Sequence, residues 1–151
     1  MTVIGADDVA LEDLSAALWQ VRRLLDLLRF RLEEERLFES AGGGRWLPGA
    51  RRAVEEVADQ LRLADLVRAV SSEELARILG TGSPATLPQL AAAAPGTWGY
   101  ILGLHHEALG EAVGAVTCLA EACPATAGDP GVPTVRIGPA LADFLGAPRS
   151  R

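Results

Sequence analysis

From Asp7 to Ser40 the chain contains neither Pro nor Gly, and apolar residues recur at Leu11, Leu14, Leu18, Val21, Leu25, Leu28 and Leu32 in alternating steps of three and four. That spacing keeps the residues on one face of an α-helix and predicts a single helix over 7–40. At 1.5 Å per residue it is a rod of about 50 Å, far above the average globular helix, so it needs long partners. Leu24, Leu27, Phe30, Leu37 and Phe38 lie beside or beyond the seam and widen the apolar face past what a two-stranded coiled coil uses, which favours a bundle. Glu35 continues the seam where Leu is expected. It is either a polar register device or the point where the bundle opens.

Ala41 to Arg45, AGGGR, ends this helix, because consecutive glycines carry the largest backbone entropy cost and readily supply the positive φ of a reversal. Pro48 fits the first turn of a new helix. Leu47, Ala50, Val54, Val57, Leu61 and Ala64 repeat the three-four spacing, so a second helix is predicted from about Pro48 to Val70, antiparallel to the first because the link is short. Ser71 and Glu74 have capping-box spacing, so Ser72 to Leu79 is either a separate short helix or the end of the second. Thr81 to Leu87 reads as a loop, and Pro88 to Ala94 as one or two helical turns. Trp98, Leu102, His105, Leu109, Ala112, Val116 and Leu119 mark a third long helix from roughly Pro95 to Cys123. Gly99, Gly103, Gly110 and Gly114 within it permit close approach of another backbone, and a partner helix is expected against that face.

The expected fold is therefore all-α: a long antiparallel hairpin plus a third long helix, forming a bundle domain over 7–123. After Cys123 the last 28 residues hold five of the nine prolines and four glycines, which predicts a flexible tail over 124–151. Inside it Ile137, Leu141, Phe144 and Leu145 have helical spacing between Pro139 and Gly146, a cluster with a use only if the segment docks.

Composition supports this reading and narrows the function. Ala and Leu together fill about a third of the 151 positions, and both are strong helix formers. The formal charge is −6 and all 14 basic residues are Arg, which leaves no positive stripe of the kind a nucleic-acid surface needs. Met1 to Asp8 has no basic segment leading into an apolar one, and no uninterrupted apolar stretch reaches the ~20 residues of a membrane span, so no membrane insertion and a cytoplasmic location are expected. Cys118 and Cys123, five apart on one helix, point away from each other and are expected to be reduced and partly buried.

Chemistry needs a constellation, and none assembles from these residues. Adjacent His105 and His106 point about 100° apart on a helix and cannot share one ion, and no Glu-x-x-His pair occurs, so no metal or other cofactor is expected. Asp26, Glu33, Glu34, Glu35 and Glu39 are interleaved with Arg29, Arg31 and Arg36, the pattern of a solvated, salt-bridged face. There is no Gly-x-Ser-x-Gly turn and no phosphate-binding Gly-rich loop, and an enzyme is not expected.

Leu14 to Leu32 (LSAALWQVRRLLDLLRFRL), followed by Glu33 to Val57 (EEERLFESAGGGRWLPGARRAVEEV), resembles the actinobacterial branch of the FlgN-type flagellar export chaperones. Arg45-Trp46-Leu47-Pro48 is the most specific part. With Ala94-Pro95-Gly96-Thr97-Trp98 the likeness extends over roughly residues 7–120. The resemblance implies a cytosolic, non-enzymatic chaperone that holds C-terminal helical segments of the hook–filament junction proteins FlgK and FlgL and passes them to the flagellar type III export gate. It places the cargo contact towards the C-terminal part, on Leu109, Val113 and Val116 of the third helix and on Ile137, Leu141, Phe144 and Leu145 of the tail. Family members engage the gate through a tyrosine near the C-terminus, whereas the single Tyr here is Tyr100. The same heptads also suit a coiled-coil adaptor or homodimerisation module without cargo, and small residues in the third helix suit a ligand-responsive helical domain with an internal pocket.

Overall fold

The computed structural model describes residues 5–121 and 135–146. Cys123, and the expected tail stretches 124–134 and 147–151, lie outside them. Every regular element among the described residues is helical. Helix α1 (Ala6–Ser40) is the long first helix, and all seven residues of its predicted seam are buried. Gly42, Gly43 and Gly44 take φ of 95°, 79° and 58°, the left-handed region that favours glycine, and turn the chain through a short 3₁₀ segment, Gly44–Trp46. Helix α2 (Leu47–Leu79) returns antiparallel to α1, and Arg51 reaches across to Glu39 beside the turn at 3.3 Å.

The second helix is continuous to Leu79, so the break considered at Ser71 does not occur. Ser72 is buried, and its hydroxyl donates to the Ala69 carbonyl one turn back at 2.9 Å instead of capping a new helix. Helix α3 (Leu87–Ala93) starts on a capping box: the Gln89 amide donates to Thr86 Oγ1 at 3.4 Å, and the Thr86 amide donates to Gln89 Oε1 at 2.9 Å. Leu87 and Leu90 fix α3 in the core.

Helix α4 (Trp98–Glu121) begins three residues later than the sequence predicts, then runs alongside α1. Leu102, Leu109 and Val116 are buried in the common core. Both α2 and α4 lie against α1, with a groove between them. The close partner expected for the α4 glycines is present only at Gly99, where an added Cβ would lie 2.9 Å from the Ala91 carbonyl oxygen of α3. At Gly103, Gly110 and Gly114 an added Cβ would meet no atom within 4 Å. Cys118 is exposed, not partly buried as expected, because it lies on the side of α4 away from Val116. No helix among the described residues is long and apolar enough to cross a membrane.

Candidate functional site

The groove between α2 and α4 is occupied by the chain's own helix α5 (Pro139–Phe144). Pro139 supplies the preset φ of a first helical turn, and Gly146, at φ 73°, closes the segment. Leu141, Phe144 and Leu145 are 2%, 3% and 7% exposed, so the apolar cluster legible in the sequence packs as one face. Ile137 is half-buried ahead of it. Residues 135–138 lie beside Leu61 of α2 and Val113 of α4, and Phe144 lies beside Arg68 and Ser72, so the segment runs parallel to α2 and takes the place of a fourth bundle helix.

Two polar contacts hold the far end of α5. The Arg68 guanidinium lies 4.3 Å over the Phe144 ring and is itself buried against the Asp65 carboxylate, 2.7 Å away. The paired charge is neutralised in place while its flat face covers an aromatic ring, a geometry Arg provides and Lys does not. His106 Nε2 lies 2.9 Å from the Leu145 carbonyl oxygen, and since that oxygen only accepts, Nε2 carries the proton and donates. His106 thus closes the C-terminal end of α5 from α4.

The fit is uneven along the groove. Beneath Leu141 only about 40 Å³ remains between α1, α2 and the segment. On either flank the groove is open: about 510 Å³ lies between Arg68, Ser72, the Pro84–Thr86 stretch and Phe144, and about 480 Å³ between Val113, Thr117, Ala120 and residues 135–137. Residues 135–138 and helix α5 together follow the groove for about 20 Å against about 36 Å for the 24 residues of α4, so among the described residues the segment underfills the groove it occupies. Of the residues the sequence points to, Val113 stands at the rim, Val116 at the floor, and Leu109 is fully sealed in the core.

His105 belongs to a different cluster, on the α1 side of α4. Its Nε2 is 3.0 Å from Ser15 Oγ, and Arg22 brings a guanidinium N–H to 3.5 Å from Nδ1. Arg22 can only donate, so Nδ1 accepts and the ring proton sits on Nε2, pointing at Ser15. In that tautomer the imidazole has no lone pair facing the hydroxyl and does not activate Ser15 as a nucleophile. Burial, and then the Arg22 charge, lower the His105 pKa. Trp19 completes the cluster, edge-to-face with His105 at 5.3 Å and stacked under Arg22 at 4.1 Å. The two histidines therefore serve different neighbours, as their 100° separation requires.

Glu35 is buried at the turn end of the α1–α2 hairpin. Burial first, then the carboxylates of Glu39 and Glu55, raise its pKa, while Arg51 opposes them. Among the described residues no three His, Cys, Asp or Glu side chains are grouped to hold a metal ion.

Three comparisons, with protein-family models, with curated proteins and with solved structures, find no match to this chain.

Proposed function

We propose that the protein is a helix-binding chaperone whose α2–α4 groove receives an amphipathic segment of a client protein, with α5 as a displaceable occupant of the same place. The observation that carries this reading is the underfilled groove: a short helix tightly seated at its centre, with roughly 500 Å³ open on each flank. A longer amphipathic helix would cover both flanks and meet the open sides of Gly110 and Gly114 on α4. Sequestering such a helix also protects it from aggregation before assembly, which is what a chaperone for an exported helical protein must do.

The sequence resemblance supplies the client class. On that reading the protein works in the cytoplasm as a FlgN-type export chaperone. Its cargo is the C-terminal helical segments of the hook–filament junction proteins, which it delivers to the flagellar export gate. It is a binding protein without a reaction of its own. The test is calorimetric titration of those C-terminal peptides into the full chain and into a chain lacking Gly138 to Arg151. Tighter binding to the shortened chain supports α5 as a plug, and loss of binding makes α5 part of the cargo site. Binding that is unchanged, or absent from both chains, refutes the proposal.

A further inference from the structure

The groove's own occupant shows which residue types the groove recognises. Leu141 fills a site with about 40 Å³ to spare beside Leu28, Ala58 and Leu61, so that position takes a leucine and nothing larger. Phe144 is held by something more selective than apolar bulk. Arg68 is only 4% exposed, and its Nε and one Nη lie 2.8 and 2.7 Å from the same Asp65 oxygen, which commits the edge of the guanidinium to the carboxylate and leaves its flat face for the ring, 4.3 Å away. A desolvated cation over a ring favours an aromatic occupant over an aliphatic one, because only the aromatic face carries negative potential. About 510 Å³ lies open beside the ring, towards Ser72 and the Pro84–Thr86 stretch, so a larger aromatic enters as well.

The end of the seat is equally specific. His106 donates to the Leu145 carbonyl, one of the acceptors that a helix leaves unsatisfied in its last turn. Pro88 of α3 lies close behind, 4.0 Å from where a Cβ on Gly146 would stand, whereas upstream about 480 Å³ is open beside residues 135–137. The place of α5 therefore suits the C-terminal turn of a longer helix running parallel to α2.

We infer that α5 carries the recognition signature of the client itself: a helix whose last turn reads Leu-x-x-aromatic-Leu, with the ring under Arg68 and a terminal carbonyl on His106. This rests on the helix-binding reading proposed above and adds to it the residues by which one amphipathic helix is chosen over another. A groove that reads apolar bulk alone takes any such helix. The arginine seat sets aromatic-ended ones apart, and Arg68 is its specificity-determining residue.

Fluorescence anisotropy with the full chain tests this. The probes are N-terminally labelled helical peptides of Ala, Glu and Lys, about four turns long, ending in Leu-Ala-Asp-X-Leu with X as Phe, Trp or Leu. The chain's own α5 competes with every probe alike, so the ratio of affinities does not depend on how firmly α5 is docked. The Phe and Trp peptides should bind about fivefold to thirtyfold more tightly than the Leu peptide. Arg68→Gln keeps a hydrogen-bond donor for Asp65 but no cation, and should bring that ratio to about twofold or less. A Phe peptide with the motif moved to its first turn should bind about fivefold more weakly. Equal binding of the Phe and Leu peptides to the parent chain, a comparison that needs no variant to fold, overturns the inference and leaves the helix-binding reading standing. So does a preference that survives Arg68→Gln, or binding indifferent to the position of the motif. Failure of every peptide to bind overturns both.

Discussion

Replacing Phe144 by Ala separates two roles for α5, a fixed part of the core and a displaceable occupant. Full burial is worth about 1.5 to 3 kcal/mol per large apolar side chain, so Leu141, Phe144 and Leu145 together contribute about 5 to 9. The Arg68 stacking and the His106 hydrogen bond add about 2 kcal/mol in all. Ordering the backbone from Pro139 to Leu145, the stretch that makes these contacts, costs about 7 to 14 kcal/mol. The terms close to within a few kcal/mol of zero, so docking is marginal. Losing most of the Phe144 side chain would cost about 3 to 5 kcal/mol in a rigid core. Here the segment undocks first, which caps the loss of global stability at the docking free energy, about 1 to 2 kcal/mol. Leu25→Ala, at a fully buried position of α1, has no such escape and should cost about 2 to 5 kcal/mol. Urea unfolding gives the two stabilities, and hydrogen exchange by mass spectrometry follows residues 135–146 separately from α1. In Phe144→Ala the segment should lose its protection while α1 keeps its own. A global loss as large as that of Leu25→Ala, with protection falling evenly over all helices, would refute the reasoning and make α5 an integral bundle helix.

Two glycines of α4 should respond oppositely to Ala. Gly99→Ala drives a methyl to 2.9 Å from the Ala91 carbonyl and should destabilise by about 1 to 3 kcal/mol, whereas Gly110→Ala, into open space within a helix, should stabilise by about 0.5 to 1 kcal/mol in thermal unfolding. His105 has a lowered folded pKa, so the unfolded chain protonates first; its contribution is complete above the unfolded pKa of about 6.5 and is lost as pH falls towards the folded value. The urea midpoint of the parent should therefore lose ground to that of His105→Gln, which retains a donor for Ser15, as pH falls from 7.5 to 5.5. Glu35 has the opposite sign, because a raised folded pKa gives stability that is full below the unfolded value and lost as pH rises through the folded one. Glu35→Gln should accordingly be more stable than the parent chain at pH 7, and that advantage should shrink as pH falls from 7 to 5.

The long helices were legible because a stripe buried along its whole length leaves an unbroken three-four pattern, as in Leu11 to Leu32, and because three glycines in a row can only turn. The extent of α2 was not, since Ser71 and Ser72 look like a helix start when the hydroxyl's alternative, a bond back to Ala69, requires the helix to exist already. The onset of α3 was encoded in Thr86 and Gln89, whose spacing is that of a capping box, but the prolines on both sides obscured it. The apolar half of the groove contents, Leu141, Phe144 and Leu145, could be read from spacing alone. Its polar half could not: Arg68 falls on the continuation of the α2 seam, and only the arrival of Phe144 and the pairing with Asp65 explain an arginine there. The exposed apolar stripe of α2, Leu63, Leu66, Val67 and Val70, was not legible for a related reason. Periodicity shows that Leu63 and Leu66 share a face, and only packing shows which face is left outside.

The order of the groove's parts along the chain has a consequence for biosynthesis. Its walls, α1, α2 and α4, are complete in sequence at Glu121, and the last residue of its occupant, Leu145, is translated 24 residues later. At about 5 to 20 residues per second the ribosome needs roughly one to five seconds to cover that distance, long enough for helices to form and pack many times over. Each newly made molecule therefore has an interval in which its groove has no plug of its own. On the proposed chaperone reading, the first helix to reach that groove in a cell making both proteins can come from the client.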